Sequence, residues 1–149
     1  MIIIDTSILS IFTHLGISEQ LERLGIEFYS TPRTLDEYYR RWEHAKIPRW
    51  LKIKFPKQES RITNRTISRV DMSIINLAIE MKMIIGTDDL AVRKIAKSKK
   101  IETIGTVGLL KALYKRGIYN EKGEYLELIK KLQKDLYLSE ELRRWTEDG

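Results

Sequence analysis

Ile2-Ile3-Ile4-Asp5 opens the chain, three branched apolar residues in an unbroken run stopped by an acid. A strand with one wet face alternates apolar and polar side chains. A run that is apolar at every position reads instead as a strand buried on both faces, the habit of parallel sheets covered by helices. The rest of the chain repeats that theme. Helical spacing follows over Thr6–Leu15 (Ile8, Leu9, Phe12, Leu15) and Glu19–Leu24. Ile26–Tyr29 reads as a second strand. Thr31 before Pro32 is a helix start, a cap residue ahead of a proline at the first helical position, and that helix is expected to run to about Ala45.

Ser68–Met81 is a further helix, Met83–Gly86 a third strand, Leu90–Ser98 a helix and Ile101–Ile104 a fourth strand. Val107–Lys115 is a helix closed by Gly117, with two more helices expected over Tyr125–Leu136 and Ser139–Trp145. Strands alternating with helices predict a three-layer α/β/α sandwich around a central parallel sheet of about four to five strands. The 149 residues suit one domain. It spans 1–149, with a distinctive segment at 45–70 and extra C-terminal helices at 124–146.

That segment is distinctive in charge. Between Ala45 and Val70 stand Lys46, Arg49, Lys52, Lys54, Lys57, Arg61, Arg65 and Arg69, against the single acid Glu59, a local charge of +8 − 1 = +7 in a chain of net +6. Such a block is a candidate phosphate-binding surface; taken alone it reads equally well as a solvated face. Pro48 and Pro56 interrupt it, and Lys46–Thr66 is the least regular stretch, a short amphipathic helix or a lid. Trp50 and Phe55 there are candidates for stacking on bases.

Composition removes several chemistries. No cysteine is present, which excludes disulfides, cysteine-zinc sites and thiol catalysis. The two histidines, His14 and His44, supply no cluster and no credible triad. No apolar run approaches the roughly 20 residues of a membrane span, and a cytoplasmic location is the default expectation. A haloacid-dehalogenase-like phosphatase needs a second Asp where Ser7 stands. Gly86 leads into acids, not into a phosphate-binding loop.

In open parallel sheets, ligands bind beyond the carboxyl ends of the strands. The residues expected near that edge are Asp5-Thr6-Ser7, Glu37, Asp71 and Thr87-Asp88-Asp89. Each acid has a dull reading. Asp5 and Asp88 or Asp89 suit helix caps, while Thr34-x-x-Glu37 and Ser68-x-x-Asp71 suit capping boxes. Their convergence on one edge is what favours chemistry. Clustered carboxylates repel unless a cation neutralises them, and hard divalent cations take oxygen ligands.

The same residues resemble the motifs of the PIN-domain family over most of the chain. Ile3-Ile4-Asp5-Thr6-Ser7 is similar to its opening motif and Leu35-Asp36-Glu37 to its second acid. Asp71-Met72-Ser73-Ile74-Ile75-Asn76-Leu77-Ala78 is similar to its third, and Ile84-Ile85-Gly86-Thr87-Asp88-Asp89-Leu90-Ala91-Val92-Arg93 to its fourth. Ile104-Gly105-Thr106-Val107-Gly108-Leu109-Leu110 and Leu138-Ser139-Glu140-Glu141-Leu142 resemble a prokaryotic branch. The resemblance implies Mg²⁺ or Mn²⁺ held by Asp5, Glu37, Asp71 and Asp89, with Asp88 the alternative to Asp89. It also implies endoribonuclease activity, commonly as a VapC-like toxin that is dimeric and inhibited by a small antitoxin.

Thr6, Ser7 and Thr87 are candidates to support the carboxylates, and the bases from Lys46 to Arg69 to bind RNA. Trp42, Trp50 and Trp145, expected to be exposed, are candidates for a homodimer interface. The alternatives are an RNA-maturation nuclease of the same family and a non-catalytic RNA-binding module.

Overall fold

A computed structural model describes residues 1–57, 67–116 and Lys130. β1 (Ile2–Ile4) leads into α1 (Thr6–Leu15) and α2 (Ser18–Arg23), then β2 (Phe28–Ser30) and α3 (Pro32–Arg41). β3 (Leu51–Ile53) precedes α4 (Arg69–Met81), β4 (Ile84–Gly86), α5 (Leu90–Ser98), β5 (Thr103–Ile104) and α6 (Thr106–Lys115). The five strands form one sheet in the order β3-β2-β1-β4-β5, and every pairing is parallel.

β1 is central and divides its isoleucines between two cores. Ile2 and Ile4 face one side with Ile8, Leu9 and Phe12 of α1, Leu21 of α2, and Leu109, Leu110 and Leu113 of α6. Ile3 faces the other, with Ile74, Ile75, Leu77 and Ala78 of α4 and Val92 and Ala96 of α5. The apolar run is therefore a period-two strand wet on neither face, and the three-layer sandwich is as expected. Gly86 lets the central pair close up, since a Cβ there would lie 2.9 Å from Ile4 Cγ2.

The order reverses direction at β1. The chain steps outward through β2 and β3, then returns to add β4 and β5 on the other side of β1. The junction of β1 with β4 is a topological switch point, where open α/β sheets form their ligand crevice.

The structure corrects several expectations. Residues 51–53, expected in a helix or lid, form an edge strand beside β2, with Phe28 opposite Leu51 and Ser30 opposite Ile53. Leu51 points into the core and Lys52 outward, so the interleaved bases mark a strand with one wet face. Trp50 is buried at 8% exposure against Phe12 and Phe28, and is thus neither a base-stacking nor a dimer surface. Trp42 is half-buried, its Nε1 donating to Ser10 Oγ at 3.0 Å. α3 ends at Arg41, short of Ala45, because the backbone turns extended at Trp42 (φ −125°, ψ 96°).

The cap of α3 is Thr31. The expected capping box at Thr34 fails because Thr34 lies inside the helix, and its N–H donates to Thr31 Oγ1. The second strand starts two residues later and ends one residue later than expected. Gly117, the helices over 124–146 apart from Lys130, Trp145 and the 138–142 motif lie outside the described residues.

Candidate active site

Asp5 follows β1 and Thr87 follows β4, so parallel pairing sets them side by side at the switch point. Asp5 N–H donates to Gly86 O at 3.1 Å, which extends the ladder to the site itself. Asp5 is 7% exposed and both carboxylate oxygens accept hydrogen bonds. Oδ1 takes the Ile8 N–H at 2.9 Å, capping α1, and Oδ2 takes the Thr87 hydroxyl at 2.6 Å. The Thr87 oxygen in turn accepts the Asp89 N–H at 3.1 Å. One buried hydroxyl thus connects the backbone of one acid to the carboxylate of another.

Burial pushes the Asp5 carboxyl up to about 6, against the lowering effect of its Thr87 and Ile8 hydrogen bonds. Repulsion from Asp71 and Asp88 adds to the rise. Asp71 sits in the first turn of α4, where its N–H donates to the Ser68 cap at 3.1 Å. Its carboxyl is also raised, first by burial, with repulsion from Asp89 and Glu37. Asp5 thus feels Asp71 and Asp88, and Asp71 feels Asp89 and Glu37. Glu37 and Asp89 are exposed, and Asp89 Oδ1 caps α5 through the Val92 N–H at 3.0 Å.

Of the expected supporting hydroxyls, Thr87 makes the contact, Ser7 is exposed, and the buried Thr6 Oγ1 has no hydrogen-bond partner. Sequence reasoning missed a second set of hydroxyls. Ser30 Oγ donates to Ile4 O at 2.9 Å, next to Asp5. Thr31 Oγ1 lies 2.8 Å from Ser73 Oγ and 3.0 Å from Thr34 Oγ1, joining the start of α3 to α4. These bonds fix the helices carrying Glu37 and Asp71. The short hydroxyl run Ser30-Thr31 at the end of a strand was the available signal.

Among the described residues, no three acid or histidine side chains form a ready-made metal cage. The donor set nonetheless fits a hard divalent cation. It is all oxygen, it includes a buried carboxyl held above its ordinary range, and an unpartnered hydroxyl, Thr6 Oγ1, stands next to Asp5 in the chain. Mg²⁺ typically takes only one or two carboxylates and keeps several waters, so a tight cage is not required.

The basic segment is exposed at Lys46, Arg49, Lys52, Lys54, Lys57 and Arg69. Lys52 is partly committed, 3.3 Å from Glu27 Oε1, and its Nζ stands 5.8 Å from the centroid of the Tyr29 ring. Phe55, at 77% exposure, is the aromatic that meets solvent there. Arg61 and Arg65 lie outside the described residues. Among the described residues, no helix is long and apolar enough to cross a membrane.

No curated protein matches the chain. A family model described as the PIN domain matches residues 1–145. PIN domains are generally nucleases that use divalent metals. The five-stranded parallel sheet, the acids at its carboxyl edge and this match agree, and the chain belongs to the PIN-domain family.

Proposed function

We propose that this chain is a Mg²⁺- or Mn²⁺-dependent endoribonuclease that hydrolyses phosphodiester bonds in RNA. The observation that carries the reading is Asp5, a buried carboxylate at the switch point that feels the charge of a second acid, Asp71. Asp5, Glu37, Asp71 and Asp89 hold the cation. When bound, such a cation supplies an activated water for in-line attack and stabilises charge at the phosphoryl group.

The chain's own residues do the rest. Thr87 orients Asp5, Asp89 shares the same hydroxyl through its N–H, and exposed bases from Lys46 to Arg69 neutralise the RNA backbone. The motif resemblance favours a VapC-like toxin, homodimeric and inhibited by a small antitoxin, with a cytoplasmic location as the default; an adjacent small antitoxin gene would separate this from an RNA-maturation enzyme.

The test is cleavage of RNA by the purified chain with Mg²⁺ and with chelator, beside Asp5→Asn. Mg²⁺-dependent cleavage lost in Asp5→Asn is the expected outcome. Variant activity equal to wild type overturns the acid site. RNA binding without cleavage by wild type leaves the non-catalytic RNA-binding module.

A further inference from the structure

α6 begins after Gly105, which has no side chain to cap it. The Thr106 N–H donates instead to Asp88 Oδ1 at 2.9 Å, and Thr106 Oγ1 donates to Asp88 Oδ2. Asp88 thus does for α6 what Asp5 does for α1 and Asp89 for α5, but from 18 residues away. Arg93 completes the clamp. Its Nε donates to Thr87 O at 3.1 Å, and Nη2 stands 3.9 Å from Asp88 Oδ1. A Cβ at position 105 would collide with both Asp88 Oδ1 and Arg93 Nη2, so a side chain there would push the arms of the clamp aside.

We propose that Asp88 is a positioning residue and not a metal ligand: by capping α6 at a distance, it holds the β4–α5 turn so that Thr87 and Asp89 stay aligned with Asp5. This rests on the acid-site reading above. Thr106 engages both Asp88 oxygens, as Ile8 and Thr87 engage both of Asp5, but of the two only Asp88 has a cation beside it among the described residues, Arg93 Nη2 at 3.9 Å from its Oδ1. The turn it secures contains the Thr87 hydroxyl, which donates to Asp5, and the Asp89 N–H, which donates to that hydroxyl. Outer partners of this kind govern metal affinity through the orientation of the ligands they support.

The experiment is a Mn²⁺ titration of the cation-free full chain, read by calorimetry, at a temperature where circular dichroism shows each variant folded. Asp88→Asn keeps an acceptor for the Thr106 N–H and is expected to bind Mn²⁺ as wild type does. Asp88→Ala and Gly105→Ala break the clamp and are expected to weaken binding about tenfold or more. Asp5→Asn serves as the control and is expected to lose binding. A folded Asp88→Asn that binds about tenfold more weakly makes Asp88 a ligand and overturns the proposal. A folded Asp88→Ala with wild-type affinity overturns the positioning role. Wild-type affinity in Asp5→Asn instead overturns the acid site itself, and this proposal falls with it.

Discussion

The Thr87 hydroxyl donates to Asp5 Oδ2 at 2.6 Å across 82 residues of sequence, linking the ends of the two central strands. Because the same oxygen accepts the Asp89 N–H, its one proton is committed to Asp5. Thr87→Val removes both bonds with little change of volume. A hydrogen bond to a charged group contributes about 1.5–3 kcal/mol, so a loss of that order is expected in urea unfolding near neutral pH. Nuclease activity is expected to fall about tenfold or more through the misaligned carboxylate, and Thr87→Ser, which keeps the donor, is expected to restore it. Full activity in Thr87→Val removes the hydroxyl from the site.

Asp5 also makes stability depend on pH. Its carboxyl titrates at about 6 in the folded chain, against 3.8 ordinarily, so the folded state holds the proton more tightly than the unfolded one. The stabilisation from protonation is complete below the ordinary value and is lost as pH rises through about 6. It amounts to about 3 kcal/mol. Asp71 is raised too and acts in the same sense. Cation-free protein is expected to unfold at lower urea near pH 7.5 than near pH 5 (both approximate). Asp5→Asn is expected to flatten most of that difference. An equally steep profile in Asp5→Asn assigns the effect elsewhere.

Added Mg²⁺ is expected to raise the unfolding midpoint of wild type above about pH 6, since a ligand that binds only the folded state stabilises it by mass action. Asp5→Asn is expected to gain little. Equal gains in both proteins place the cation away from Asp5.

Gly86 tests the close approach of β1 and β4. Its added methyl would meet Ile4 Cγ2, a group buried in the sheet with no room to swing. Gly86→Ala is expected to destabilise by about 1–3 kcal/mol, as overpacking does. Wild-type stability in urea unfolding means the central strands separate more readily than their register implies.

Lys54 and Arg69 are exposed bases of the proposed RNA surface. Reversing both to Glu is expected to weaken RNA binding and to make its dependence on salt shallower, by nearly one unit of log–log slope for each phosphate that is no longer neutralised. Filter binding over a salt series measures this. An unchanged slope removes the segment from the RNA surface.

Much of the fold is legible in the chain because its signals are local. Ile2-Ile3-Ile4 declares a strand buried on both faces, and Ile74, Ile75, Leu77 and Ala78 mark the inner face of α4. The caps at Asp5, Ser68 and Asp89 follow from side chains that reach an N–H three residues on. β3 is not legible. Leu51-Lys52-Ile53 is too short for alternation to stand out from amphipathic helix, and only pairing with β2 makes it a strand. The burial of Trp50 is hidden for the same reason, since basic neighbours in sequence say nothing of Phe12 and Phe28 in space.

For the site, sequence alone determined that acids stand at the ends of strands and the starts of helices, Asp5 first among them. Tertiary structure alone decided that β4 lies beside β1, and so that Thr87 meets Asp5. It likewise separated Asp88, turned toward Thr106, from Asp89, which caps α5. The physical reason is the range of the interactions. Caps and periodicity are satisfied within a few residues, whereas strand order and bonds spanning 18 or 82 residues exist only after two apolar cores have closed on the sheet.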